Sequence, residues 1–174
     1  MRAIITGGTG LIGRALTSDL LNDGWEVIIL SRRPGQATGL PATVHIEGWD
    51  ARTSGGWGHL ADGADAIVNL AGAGLADARW TAARKDLIRD SRVSAGQAVV
   101  QAVQEAGEKP QVVIQSSGIG FYGPRGDEEI TEKEPVGNDF LSQICVDWEA
   151  STEALDDLGV RRPIIRTGPV LSLD

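Results

Sequence analysis

A chain of 174 residues with 41% hydrophobic content has room for one globular domain that buries roughly 70% of its unfolded surface, and none for a second. Its 16 basic and 24 acidic residues give a formal charge of −8, and no Lys/Arg-rich patch stands out, which argues against nucleic acid or an anionic membrane as partner. There is no apolar run of about 18 residues, the N-terminal segment already reads as part of the fold, and the lone Cys145 cannot form an internal disulfide; neither a signal peptide nor a membrane span is expected, and cytoplasm is the expected compartment.

The first thirteen residues organise the rest. Ala3-Ile4-Ile5-Thr6 is a short apolar, β-branched run of the kind that forms a buried strand. It passes directly into Gly7-Gly8-Thr9-Gly10-Leu11-Ile12-Gly13, after which Leu11, Ile12, Ala15, Leu16 and Leu20 recur at helical spacing until Gly24. A strand, a glycine turn and a helix form the cradle that a dinucleotide pyrophosphate requires, because the phosphates lie against free N–H groups at the helix start and only glycine lets the backbone come so close. The glycines fit either G-x-G-x-x-G (Gly8, Gly10, Gly13) or Thr6 followed by Gly7, Gly10 and Gly13. A glycine-rich turn that binds nothing is the plainer alternative.

A second strand over 25–30 ends in Ser31-Arg32-Arg33-Pro34-Gly35. In a dinucleotide fold this junction meets the adenosine ribose, where an acid would accept from the 2′-OH of NAD and would repel a 2′-phosphate. A hydroxyl and two guanidiniums suit the phosphate, so NADP is expected over NAD, with Ser31 and Arg32 as its contacts. Arg32 and Arg33 as a solvated turn pair is the competing reading. A third strand over 43–46 is closed by Glu47-Gly48-Trp49-Asp50, where Asp50 is either an acceptor for the adenine amino group or a turn acid. Residues 51–63 read as a loop or one short helix around Trp57, and His45 and His59 are too isolated to suggest a metal site.

A fourth strand within 64–72 breaks into Leu70-Ala71-Gly72, small enough to offer the cofactor an open backbone floor at the carboxyl end of the sheet. Residues 80–106 form a long helical pattern whose early part is charged. A solvated face explains those charges except for Arg92, which shares the buried side with Ser91 and Ala95. Its nearby acids Asp86 and Asp90 are off the three- or four-residue spacing that would pair them with it. Arg92 is therefore expected to meet the cofactor, or else to form a salt bridge with Glu149. A fifth strand over 111–115 leads into Ser116-Ser117-Gly118-Ile119-Gly120-Phe121-Tyr122-Gly123, a helix carries Phe140, Leu141, Ile144, Cys145 and Trp148 on one stripe, and a sixth strand over 160–166 is followed by Thr167-Gly168-Pro169-Val170. Strands alternating with helices predict a doubly wound parallel sheet in the order 3-2-1-4-5-6, with the ligand crevice at the carboxyl edge between the first and fourth strands.

The segments T-G-G-T-G-L-I-G, S-R-R, N-L-A-G, R-W-T-x-x-R-K-x-x-I-x-x-S-R-V, S-S-G-I-G-F-Y-G and C-V-D-W-E-A together resemble the epimerase-like branch of the extended short-chain dehydrogenase/reductases, the NAD-dependent epimerase/dehydratase family. The resemblance covers nearly the whole chain and implies a Rossmann-type dinucleotide-binding domain over 1–174, with the smaller substrate-binding portion of family members lying outside this sequence. It implies cofactor contacts from Gly7, Thr9, Gly10, Leu11, Ile12, Ser31, Arg32, Leu70, Ala71, Gly72, Arg92 and Val170. It also exposes a departure. Such enzymes use an Asn, a Ser, a Tyr and a Lys, the Lys cation lowering the pKa of the Tyr so that it can exchange a proton with the substrate oxygen.

Here Ser117 lies near the Ser position, one residue from the commonest register, and Arg92 falls at the Asn position. Cys145 replaces the Tyr and Glu149 the Lys. A carboxylate cannot lower a neighbour's pKa by positive charge. Cys145 reads as a buried structural residue, with Glu149 as an acid/base and Cys145 as a nucleophile as the alternatives. Two function classes follow: an NADP-dependent oxidoreductase or epimerase-like enzyme acting on an unidentified small molecule, and an NADP-binding regulatory or redox-sensing protein without turnover.

Overall fold

The computed structural model describes residues 1–172. Six parallel strands form one sheet in the order β3-β2-β1-β4-β5-β6: β1 Arg2–Thr6, β2 Glu26–Ser31, β3 His45–Gly48, β4 Ala66–Asn69, β5 Val112–Gly118 and β6 Ile164–Thr167. Three α-helices accompany them, α1 Leu11–Asn22, α2 Ala82–Glu105 and α3 Phe140–Ala150. Side chains alternate across a strand, so neighbours in the apolar runs feed opposite faces. Ile4, Ile28 and Ile67 pack with Ala95, Val99 and Val103 of α2. Ile5, Ile29 and Val68 pack on the other face with Leu16 and Leu20 of α1. This is the double-sided burial that a parallel sheet needs.

Boundaries moved where backbone hydrogen bonding overrode the apolar pattern. The third strand begins at His45 rather than 43, because Val44 N–H turns back to the Pro41 carbonyl. The fifth continues through Ser116, Ser117 and Gly118, whose partners Ile165, Arg166 and Thr167 extend the ladder. The last strand starts late, at Ile164, after Pro163, which has no N–H to give; Arg161 makes only an isolated bridge to Val112. Within 51–63 a short 3₁₀ turn, Gly58–Ala61, follows the fully buried Trp57.

Candidate dinucleotide crevice and the Glu149 cluster

A crevice of about 530 Å³ opens across the carboxyl ends of β2, β1 and β4. Its floor is the glycine turn. Gly10 is the N-cap of α1 and has no side chain to bond the first-turn N–H groups, which leaves them free for a ligand. At Gly13 a Cβ would stand 2.5 Å from the Gly8 Cα and 2.7 Å from the Gly7 carbonyl oxygen, so only glycine lets α1 start this close to the turn. Thr6 fixes the neighbouring wall. Its hydroxyl donates to Asn69 Oδ1 at 2.7 Å and accepts from the N–H groups of Leu70 and Ala71, each at 3.1 Å. Asn69 in turn donates to Gln115 at 2.9 Å, so a buried polar relay ties the ends of β1, β4 and β5 together.

Of the residues expected at the cofactor, Gly7, Thr9, Gly10, Ser31, Arg32, Leu70, Ala71 and Gly72 line this crevice. Leu11 and Ile12 start α1 with their side chains exposed, so what they offer the crevice is backbone. Val170 follows β6 and is half exposed, away from the crevice lining. Arg33 and Arg14 join the rim. Arg14 donates to the carbonyls of Thr9 and Thr38, linking the glycine turn to the loop after β2. Arg32 and Arg33 are exposed, and among the described residues neither takes part in an ion pair. Asp50 serves its own turn: its carboxylate accepts from the N–H groups of Arg52 and Thr53, both at 2.8 Å, and these hydrogen bonds hold its pKa below the usual value. The turn-acid alternative read for Asp50 is thus realised in an Asx-type turn.

Arg92 lies behind the crevice wall. Its Nη1 donates to the carbonyls of Ala73 at 3.0 Å and Ile88 at 2.9 Å, and its guanidinium carbon sits 4.9 Å from the Trp148 ring centroid. The salt bridge to Glu149 considered from the sequence does not form, because Glu149 takes Arg166 instead. Arg166 Nε and Nη2 reach the two carboxylate oxygens at 2.8 Å each. Ser117 donates to the same carboxylate at 2.6 Å, and Arg166 Nη1 donates to the Tyr122 hydroxyl at 2.8 Å while the guanidinium covers the Phe121 ring. The three residues read from the sequence as a catalytic set are thus brought together, since the Cys145 thiol donates to the Gly118 carbonyl one residue from Ser117.

Electrostatically the cluster is closed. The Glu149 carboxylate and the Tyr122 hydroxyl push the Arg166 pKa well above the usual guanidinium value. Burial pushes the Cys145 thiol up, which keeps it protonated at neutral pH. Sequence reading missed Arg166, Tyr122 and Arg14 as members of these sites. A signal for Arg166 was present in the alternation of Ile164-Ile165-Arg166-Thr167, which sends one basic side chain of a strand toward the α3 face.

The sequence profile of the NAD-dependent epimerase/dehydratase family matches residues 3–148. An epimerase family protein of Mycobacterium bovis is 36% identical over 97% of this chain and 53% of its own length. Epimerase family protein SDR39U1 of Bos taurus is 35% identical over 98% of this chain and 55% of its own. The crystal structure of human SDR39U1 with NADPH superposes with a TM-score of 0.85 at 31% identity, covering 100% of this chain and 56% of that one. A nucleoside-diphosphate sugar epimerase of Corynebacterium glutamicum superposes with a TM-score of 0.78 at 38% identity, covering 99% of this chain and 34% of the other. The chain spans about half the length of the relatives it matches. With its profile match, its relatives and its doubly wound sheet in agreement, the chain belongs to the NAD-dependent epimerase/dehydratase family, within the extended short-chain dehydrogenase/reductases.

Proposed function

We propose that this chain is the dinucleotide-binding part of an oxidoreductase or epimerase-like enzyme that takes NADP(H) in preference to NAD(H) and acts on a small molecule. The observation that carries the preference is the rim of the crevice at the end of β2, which presents Ser31, Arg32 and Arg33 and no carboxylate. A 2′-phosphate there gains charge-assisted hydrogen bonds, whereas the 2′-OH of NAD finds no acid to accept its proton. The uncapped start of α1, with the backbone of Gly7, Thr9, Gly10, Leu11 and Ile12, holds the pyrophosphate. Leu70, Ala71 and Gly72 give the ribose a backbone floor. When bound, the dinucleotide supplies hydride transfer.

The proton side of the chemistry falls to the chain's own residues. Cys145 keeps its proton and contributes packing. Glu149 is the group able to exchange a proton at this position. Its side chain is engaged by Arg166 and by Ser117, so its acid/base use requires a substrate that displaces the Ser117 hydroxyl. The same closed arrangement supports a second reading, an NADP-binding regulatory or redox-sensing protein without turnover. Fluorescence titration with NADPH and NADH tests the cofactor. NADPH is expected to bind tighter by about tenfold, which is 1.4 kcal/mol; equal affinity would overturn the preference. Oxidation of NADPH by a panel of carbonyl compounds separates the two readings, with turnover expected for the enzyme and none for the regulatory protein.

A further inference from the structure

A buried cation is tolerated when an anion or a full set of acceptors surrounds it. Arg92 is 8% exposed and meets neither condition. Its guanidinium donates from Nη1 to two neutral carbonyls. The acids around it are committed elsewhere: Glu149 to Arg166, Asp147 to Arg89, Asp77 to Arg84. Burial lowers its pKa, and the charge of Arg84 lowers it further. Arg92 runs back along α2 to the Ile88 carbonyl, toward Arg84, and the two guanidiniums bond successive carbonyls of the loop after β4, Arg84 to Gly74 and Arg92 to Ala73.

The neighbours of Arg92 repeat the pattern. Among the described residues, two buried side-chain nitrogens have no hydrogen-bond partner, Arg84 Nε and Trp148 Nε1. One belongs to the cation beside Arg92 and the other to the indole stacked on it. More than nine in ten buried polar groups are satisfied in folded proteins, so two orphans flanking one unpaired guanidinium form a specific pattern. Both orphans are donors and lack an acceptor, and Arg92 between them is the cation that lacks an anion. The place is informative too. Gly72 and Ala73 line the crevice, and a Cβ on Gly72 would stand 2.9 Å from the Arg92 guanidinium carbon, so the cation lies flush against the wall opposite the Arg32 rim.

We infer that Arg92, Arg84 and the Trp148 indole N–H form a subsite for a small oxyanion, a carboxylate or phosphate group carried by the substrate, beside the β4 end of the crevice. This assignment rests on the proposed function for its view of the crevice as the cofactor site. Thermal unfolding of the full chain with saturating NADPH tests it, with inorganic phosphate or acetate replacing chloride at constant ionic strength. NADPH fills the crevice's own phosphate contacts, so a saturable rise in Tm reports the additional subsite. The half-saturating concentration is expected to increase by about tenfold in Arg92→Gln and by several-fold in Arg84→Gln. The tighter of the two anions identifies the group the substrate carries.

Arg84→Gln keeps the test usable if Arg92→Gln fails to fold, because Arg84 lies nearer the surface. No saturable rise, or unchanged saturation in Arg84→Gln, overturns the subsite. Competition between the anion and NADPH also overturns it, since Arg92 would then serve the cofactor. NADPH binding is read separately from nicotinamide fluorescence, and failure there strikes the cofactor reading. In that event the same titration in an Arg32→Ala background, with the phosphate-binding rim weakened, still decides the subsite.

Discussion

Glu149 and Arg166 are joined through both carboxylate oxygens at 2.8 Å, with side chains 11% and 20% exposed. A bidentate pair this sheltered matters more for what its breakage leaves behind than for what its presence adds. Arg166→Met strands the Glu149 carboxylate under α3 and is expected to cost about 3 kcal/mol in urea unfolding. Adding Glu149→Leu is expected to recover most of that loss, because the uncompensated charge goes with it. A double variant as unstable as Arg166→Met alone would show that the pair does not control stability here.

Cys145 is expected to be inert. Its thiol is 6% exposed, donates to the Gly118 carbonyl, and is pushed up by burial. The native protein should therefore be alkylated far more slowly than the urea-unfolded chain at pH 8. A thiol whose folded pKa lies above its unfolded value adds stability that is whole below the unfolded pKa and is lost as pH rises toward the folded one. Thermal unfolding of the parent should accordingly lose more stability above pH about 9 than Cys145→Ala does. Rapid native alkylation would contradict this and revive a nucleophilic role.

Arg32 is the residue expected to carry the proposed preference for NADPH. Arg32→Ala is expected to weaken NADPH by about 1.5 to 3 kcal/mol, the range for a hydrogen bond to a charged group, and to leave NADH nearly unchanged. Equal losses for the two cofactors would refute the contact with the 2′-phosphate.

The parts of this structure that were legible in the sequence are the ones written in neighbouring residues. The glycine turn, the apolar runs of β1 and β2 and the long pattern of α2 each carry their information within one contiguous segment, and strand–helix alternation then gives a doubly wound parallel sheet, with the glycine turn after the first strand favouring the order 3-2-1-4-5-6. What was hidden joins distant elements. Glu149 and Arg166 are 17 residues apart on a helix and a strand. Arg92 finds the Ala73 carbonyl 19 residues back, and a carbonyl has no letter in the sequence, so counting nearby acids could not locate it. The small polar residues of β5 were hidden for another reason: Ser116 and Ser117 carry no apolar signal, yet their backbone pairs with β6 as well as that of Val113 pairs with β4.

Gly13 is a steric requirement. Gly13→Ala forces α1 away from the turn, since the added methyl would overlap the Gly8 Cα. The expected cost is about 1 to 3 kcal/mol of stability from overpacking, together with a large loss of NADPH affinity. Retained affinity would mean that the helix start does not set the phosphate position.

Asp139 sets the start of α3 and, through it, the position of Cys145 and Glu149. Its carboxylate accepts from the Ser142 N–H and hydroxyl, both at 2.8 Å, while the Ser142 hydroxyl also reaches the Gly120 carbonyl at 3.0 Å. The cap therefore fastens α3 to the turn after β5 as well as capping the helix's first turn. Asp139→Ala is expected to cost about 1 kcal/mol, and Asp139→Asn less, because an amide oxygen still caps. The hydrogen bonds from Ser142 lower the Asp139 pKa, so this stability is present above the ordinary aspartate value of about 3.9 and is lost as pH falls through the depressed folded value. Urea midpoints measured from pH 7 down to pH 3 should show the gap between parent and Asp139→Ala narrowing only at the acid end. A gap that stays constant throughout would mean that the hydroxyl of Ser142, rather than the charge of Asp139, holds the helix to the turn.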